Sequence, residues 1–365
     1  MNQFAVDQDM TYQWSRSVFF QLALLGTLVS QERANPVVHE LKSQFQAGAT
    51  KLRVLLPDLL KKGERCRVLF VLPVEALDEH RYGSGLRTVQ ATNLHNTHRL
   101  ICVFPTFSQL PWYVDHPSNP RSRQESYLIH ELVPLVDRQY PTMGSAAGRF
   151  VVGFSKSGWG AFSLLLRHPK VFSVAGAWDA PLQQARPNQF GMSGLFGSQD
   201  NFEKYRITRL LKQRADLLKS QRRLVLTGYF GFRSHHQAVH AAMGKLRIRH
   251  TYRDGPKRKH IWASGWLPEL VDLMLRPTPD IVGVEVPEIL RRMVAKVGGG
   301  AAATVFESLH PDDEGKLSLA AFTKAAGLAN AELSTAVFAR LDLDGSKSVE
   351  VAEFQSVWTA WKKID

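Results

Sequence analysis

A serine set among glycines is the strongest chemical signal in this chain. Gly153-Phe154-Ser155-Lys156-Ser157-Gly158-Trp159-Gly160-Ala161 lies between the apolar run GRFVVGF and the amphipathic stretch GWGAFSLLLRHP. A sharp strand-to-helix turn can lift a serine hydroxyl above a sheet as a nucleophile, and such a turn needs small residues two positions to either side. Gly153 stands two before Ser155. Ser157, small but not the usual glycine, stands two after. The start of the following helix also favours an anion at that spot. The chemistry such a turn serves is acyl transfer through a covalent intermediate. The non-catalytic reading of the same residues is a Gly/Ser-rich turn of an α/β fold.

The elements around the turn must position it. ATKLRVLLP, RVLFVLPV, LICVFPTF, GRFVVGF and VFSVAGAW read as strands, and RLVLTGY and LRIRHTYR close the series. ESYLIHELVPLVDRQY, GWGAFSLLLRHP and ASGWLPELVDLML read as helices. Continuous Val/Leu/Ile strands alternating with helices predict a mostly parallel sheet covered on both faces.

With these stretches in place, residues 50–276 resemble the esterase D-type family of α/β-hydrolases. RVLFVLPVE, GFSKSGWGAFSLLLRHPKVFSVAGAW and KHIWASGWLPEL carry the likeness. The family includes S-formylglutathione hydrolases, feruloyl and acetyl-xylan esterases and mycolyltransferases. The resemblance implies a three-layer sandwich with a mostly parallel sheet and a Ser–acid–His order of catalytic residues. It implies His260 as the base, because His260-Ile261-Trp262 falls after the last strand and before the terminal helix. The family's acid normally follows the strand written here RLVLTGY. That loop reads GYFGFRSHH, with Gly231 near the expected place and no carboxylate. Asp179, ending VFSVAGAWD, is the replacement we expect, its carboxylate ~2.6–3.2 Å from a His260 ring nitrogen. Asp254 is the second candidate. The oxyanion hole implied by the resemblance uses the backbone N–H groups of Lys156 and Glu75, with Val74 as the fallback for Glu75. The Glu75 carboxylate should turn away from the oxyanion or pair with Lys156 or Arg81. Trp112, Tyr113 and Trp159 fit either a stacking platform for a sugar or aromatic acyl group or ordinary loop packing.

A second chemistry is written near the C-terminus. Calcium loops supply oxygen at positions 1, 3, 5, 7, 9 and 12, with a tight turn at 6. Asp342, Asp344, Ser346, Ser348 (through its carbonyl), Glu350 and Glu353 have that spacing, although Lys347 stands where glycine is usual. An earlier, similar unit has His310, Asp312, Glu314 and Gly315, but Ala321 replaces the last ligand. The pattern reads as an EF-hand pair, one loop binding Ca²⁺ weakly and the other structural. The alternative is a purely structural helical pair.

Composition sets the outer bounds. The 365 residues are 44% hydrophobic and 22% charged, which supports a full core and excludes global disorder. Cys66 and Cys102 cannot build a disulfide scaffold, and free buried thiols are expected. The net charge is +13, yet residues from Gly300 on hold ten acids and six bases, so the tail is −4 and the preceding part +17. The bases are scattered and no nucleic-acid motif accompanies them, so a solvated basic surface is expected rather than a nucleic-acid partner. VFFQLALLGTLV at 18–29 is short for a membrane span and suits a signal peptide, the alternative being a buried helix. The domain reading is therefore a signal or N-terminal segment at 1–34, an α/β-hydrolase at 35–280, a linker at 281–299 and a small all-α EF-hand domain at 300–365. The function it implies is an exported serine esterase acting on a small-molecule or polysaccharide-linked acyl ester, with no cofactor for catalysis and no stable membrane span after signal cleavage. The competing reading is a non-catalytic hydrolase-like binding protein.

Overall fold

The computed structural model describes residues 35–275, 295, 300–327, 334–335, 337–338, 341–342 and 346–362. The candidate signal segment, nearly all of the candidate linker and Asp344 lie outside the described residues.

Eight strands form one sheet: β1 (Val37–Leu41), β2 (Thr50–Leu55), β3 (Arg67–Val71), β4 (Leu100–Pro105), β5 (Arg149–Phe154), β6 (Val174–Trp178), β7 (Leu224–Tyr229) and β8 (His250–Lys257). Their spatial order is β1-β2-β4-β3-β5-β6-β7-β8. The pairs β1/β2 and β2/β4 are antiparallel, and every pair from β4 to β8 is parallel. The central strands are apolar along most of their length because both faces are covered. Val68, Phe70 and Val151 face one core, with Phe162 and Leu165 from the helix Lys156–Arg167. Leu69, Val71, Val152 and Phe154 face the other, with Trp266 and Leu270 from the helix Trp266–Leu275. This alternation within a continuous hydrophobic run is what a sheet buried on both sides requires.

Three details depart from the sequence reading. β1, VVHEL, is a half-exposed edge strand that the apolar pattern does not reveal. The expected strand LRIRHTYR begins only at His250 and runs on to Lys257. Arg233–Lys245 forms a helix not anticipated there. Cys66 and Cys102 are buried and free.

Among the described C-terminal residues, two short strands, β9 (Lys316–Ser318) and β10 (Ser348–Glu350), pair antiparallel with Leu317 opposite Val349. Helices Ala302–Glu307, Leu319–Ala326 and Val351–Lys362 accompany them. Phe306, Phe322, Phe338 and Phe354 build a separate small core over the strand pair.

Candidate active site

Ser155 follows β5 and caps the start of the helix Lys156–Arg167 with φ 52° and ψ −131°. This left-handed backbone is costly for a side chain with a Cβ and persists only where the surroundings fix it. Three contacts fix it here. The Ser155 N–H donates to the carbonyls of Trp178 and Asp179 at the end of β6, both at 3.2 Å. A Cβ on Gly153 would lie 2.4 Å from the Ser157 backbone, so glycine is required. Ser157, where glycine is usual, turns its buried hydroxyl back onto the turn. It donates to the Phe154 carbonyl at 2.8 Å and accepts from the Phe154 N–H at 3.0 Å.

Asp179 follows β6, with φ 40° and a fully buried side chain. His260 Nδ1 donates to its Oδ2 at 2.7 Å. Its Oδ1 accepts from the N–H groups of Phe230 (2.7 Å), Gly231 (3.0 Å) and Phe232 (2.7 Å). These three amides belong to the loop after β7, the loop that lacks a carboxylate. Burial alone would raise the Asp179 pKa, but the bonds from His260 and the three amides outweigh it and hold the carboxyl below its ordinary value.

His260 sits in an aromatic collar. Phe154, Tyr82 and Phe230 place their ring centres 5.0, 5.5 and 5.9 Å from the imidazole. Ser155 and His260 line one cavity of about 310 Å³. Glu75, Arg81 and Lys156 give its lining an ionic patch, and Leu110, Pro181, Phe190 and Phe232 are its apolar members. The Glu75 carboxylate pairs with both cations, Arg81 at 3.2 Å and Lys156 at 3.4 Å. Burial lowers the Lys156 pKa and Glu75 opposes that shift.

The structure thus brings Ser155, His260, Asp179, Lys156 and Glu75 to one end of the sheet. It does not bring Asp254 there, which is bound to Arg233 at 2.7 and 2.9 Å. Trp112, Tyr113 and Trp159 are 0%, 1% and 0% exposed, so they pack the core and offer no platform. Sequence reasoning missed two supports. His236 Nε2 accepts the Ala180 N–H at 2.8 Å, and His235 Nδ1 accepts the Gln183 N–H at 3.2 Å. Burial pushes the His236 pKa down to about 4, so its ring is neutral and able to accept. The His-His pair in GYFGFRSHH was the available signal.

In the C-terminal unit, Lys347 has φ 69° and Gly315, its counterpart in the earlier loop, φ 74°. Asp342 accepts the Lys347 N–H at 3.0 Å, and Glu353 accepts the Glu350 N–H at 2.9 Å. Among the described residues no three His, Cys, Asp or Glu side chains converge as a metal site.

Comparison with known proteins places the family and the fold. The model of the Esterase family, described as "Putative esterase", matches residues 43–228. The chain therefore belongs to the esterase family of α/β-hydrolases. A search of curated proteins gave no match. Among solved structures, a ferulic acid esterase superposes with TM-score 0.52 at 18% identity, over 66% of this chain and 95% of its own. An S-formylglutathione hydrolase from Staphylococcus aureus gives 0.53 at 15% identity, over 66% and 98%. The fluorophosphonate-binding serine hydrolase F of the same organism gives 0.54 at 14%, again over 66% and 98%. At these identities the likeness concerns the fold. Among the described residues no helix is long and apolar enough to cross a membrane.

Proposed function

We propose that this esterase works through Ser155, His260 and Asp179. Ser155 Oγ attacks the ester carbonyl while His260 Nε2 takes the hydroxyl proton. The backbone N–H groups of Lys156 and Glu75 hold the oxyanion. His260 then returns the proton to the departing alcohol, leaving an acyl-serine. Water, deprotonated by the same nitrogen, releases the acid and restores the serine. Asp179 keeps the proton on Nδ1, which leaves Nε2 free to accept, and stabilises the imidazolium. The observation that carries this reading is the 2.7 Å bond from His260 to a carboxylate that three amides keep ionised. It also weighs against the non-catalytic reading, which rested on the loop after β7 lacking a carboxylate. The chemistry needs no cofactor. The substrate in this reading is a small-molecule or polysaccharide-linked acyl ester, met by an exported enzyme.

We also read the C-terminal unit as an EF-hand pair whose second loop takes Ca²⁺ through Asp342, Asp344, Ser346, the Ser348 carbonyl, Glu350 and Glu353. These are the hard oxygen donors that calcium prefers. The left-handed turn at Lys347 and the Leu317–Val349 pairing support that loop form.

A fluorophosphonate probe tests the catalytic reading. It should label the wild-type protein at Ser155 and leave Ser155→Ala unlabelled, and that variant should lose ester hydrolysis by orders of magnitude. Labelling elsewhere, or hydrolysis that survives the substitution, would remove Ser155 from the mechanism.

A further inference from the structure

We propose that the preferred esters carry an anionic group, a carboxylate or phosphate, seated against Arg81 and Lys156 on the ionic patch of the Ser155 cavity. The inference rests on the reading of Ser155 as nucleophile and narrows the substrate class. Two cations converge there on a single oxygen, Glu75 Oε1. The patch is left with one positive charge in excess. No second carboxylate lines the cavity among the described residues. Asp179 cannot supply the balance, because it is fully buried and its oxygens are taken by His260 and three amides.

The two cations differ in a useful way. The Lys156 side chain is only 10% exposed, so its ammonium is poorly hydrated and gains from a nearby anion. The Arg81 side chain is 73% exposed, and among the described residues only its Nη2 donates, to Glu75. Its remaining N–H groups keep the planar fork that fits carboxylate or phosphate oxygens. Its guanidinium carbon sits 4.7 Å from the centre of the Tyr82 ring, which holds it at the cavity wall. The lining also includes Leu110, Pro181, Phe190 and Phe232, apolar side chains that suit the hydrocarbon part of such an ester. The surrounding domain adds a long-range term. Residues 35–275 hold 34 Lys and Arg against 17 Asp and Glu, a field that raises the local concentration of anions.

The anion can belong to the acyl part or to the alcohol part, and two pairs of esters separate these. One pair is p-nitrophenyl hemiglutarate against p-nitrophenyl pentanoate. The other is para-acetoxybenzoate against its methyl ester. The readout is the ratio of kcat/KM for the anionic ester over the neutral one, compared between wild type, Arg81→Gln and Arg81→Glu. Intrinsic reactivity of each ester cancels in that comparison. The ratio should fall roughly tenfold in Arg81→Gln and further in Arg81→Glu, through KM more than kcat, for the pair whose anion reaches the patch. Added salt should narrow the wild-type ratio. Arg81 is mostly in water, so both variants should fold, which far-UV circular dichroism checks. A ratio that is the same in all three proteins for both pairs would overturn the inference while leaving the nucleophile in place. Failure to cleave any of the four esters, with Ser155 also inert to a fluorophosphonate, would instead overturn the nucleophile and the inference with it.

Discussion

Asp179, after β6, and Glu353, in the first turn of the helix that follows β10, are both carboxylates held by backbone N–H groups. The donors come from different distances along the chain. Asp179 takes its amides from residues 230–232, about fifty positions on, and is sealed from water. Glu353 takes its amide from Glu350, and Asp342 takes one from Lys347, each within its own exposed loop. The first carboxylate is ionised and oriented by the tertiary fold before any ligand arrives. The second group takes amides from its own turn, so a cation competing for those oxygens displaces local bonds. A catalytic acid needs the first arrangement and a weak calcium loop needs the second.

The sharpest way to break the first arrangement is Asp179→Asn. Oδ1 must stay where three amides point at it, so the new NH₂ takes the place of Oδ2 and faces His260 Nδ1. That nitrogen then has to accept, the ring proton moves to Nε2, and Nε2 can no longer take the serine proton. Turnover should fall on the order of 10⁴-fold with the fold intact. Steady-state kinetics beside near-UV circular dichroism would show it. A fully active asparagine variant would mean that Asp179 does not set the tautomer.

The second arrangement is tested with Glu353→Gln. Position 12 supplies two oxygens and a full charge, so calcium affinity should drop by roughly 100-fold. Isothermal titration with CaCl₂ measures this in the full chain. Equal affinity in wild type and variant, or no binding in either, would leave a purely structural helical pair.

The same contrast explains how much the sequence discloses. Ser155 is legible because its requirement is local: small neighbours and a strand leading into a helix. Asp179 is legible only as a carboxylate at the right strand end, once the loop after β7 is seen to lack one. What that loop does instead is invisible, because an amide donor carries no residue type; Phe230, Gly231 and Phe232 act through their backbones. His236 is hidden for the related reason that it touches Ala180, not a reacting group. The aromatic trio Trp112, Tyr113 and Trp159 shows the converse. Their residue types suit a binding platform, but burial depends on how Phe196 and Gly160 meet them, which spacing along the chain does not encode. The mostly parallel sheet follows from the alternation of strands and helices, whereas β1 is short, half-exposed and without apolar pattern.

Acidification separates the two regions most gently. Burial pushes His236 and His250 down to about 4, the Asp179 charge opposing the shift at His236. Both rings are neutral in the folded domain and protonate near pH 6.5 when unfolded. The unfolded state therefore binds more protons between these values, and stability falls as pH drops from about 6.5 towards 4. Each histidine should remove about 2 kcal/mol between pH 7 and pH 5. Asp179 adds nothing in this window. Its folded pKa lies below its ordinary value of 3.8, so its contribution is lost only as pH falls further. The C-terminal unit has no buried histidine among its described residues, and His310 is exposed. Hydrogen exchange at pH 7 and pH 5, corrected for intrinsic rates, should show weaker protection of β5, β6 and β7 at the lower pH and little change in the helix Val351–Lys362. His236→Gln keeps an acceptor for the Ala180 N–H without a titrating ring, and it should remove part of that pH dependence, the rest coming from His250 and from His80, His95, His235 and His240, which burial also shifts down. Equal loss of protection in both regions would show that something other than the buried histidines of the larger domain governs the acid response.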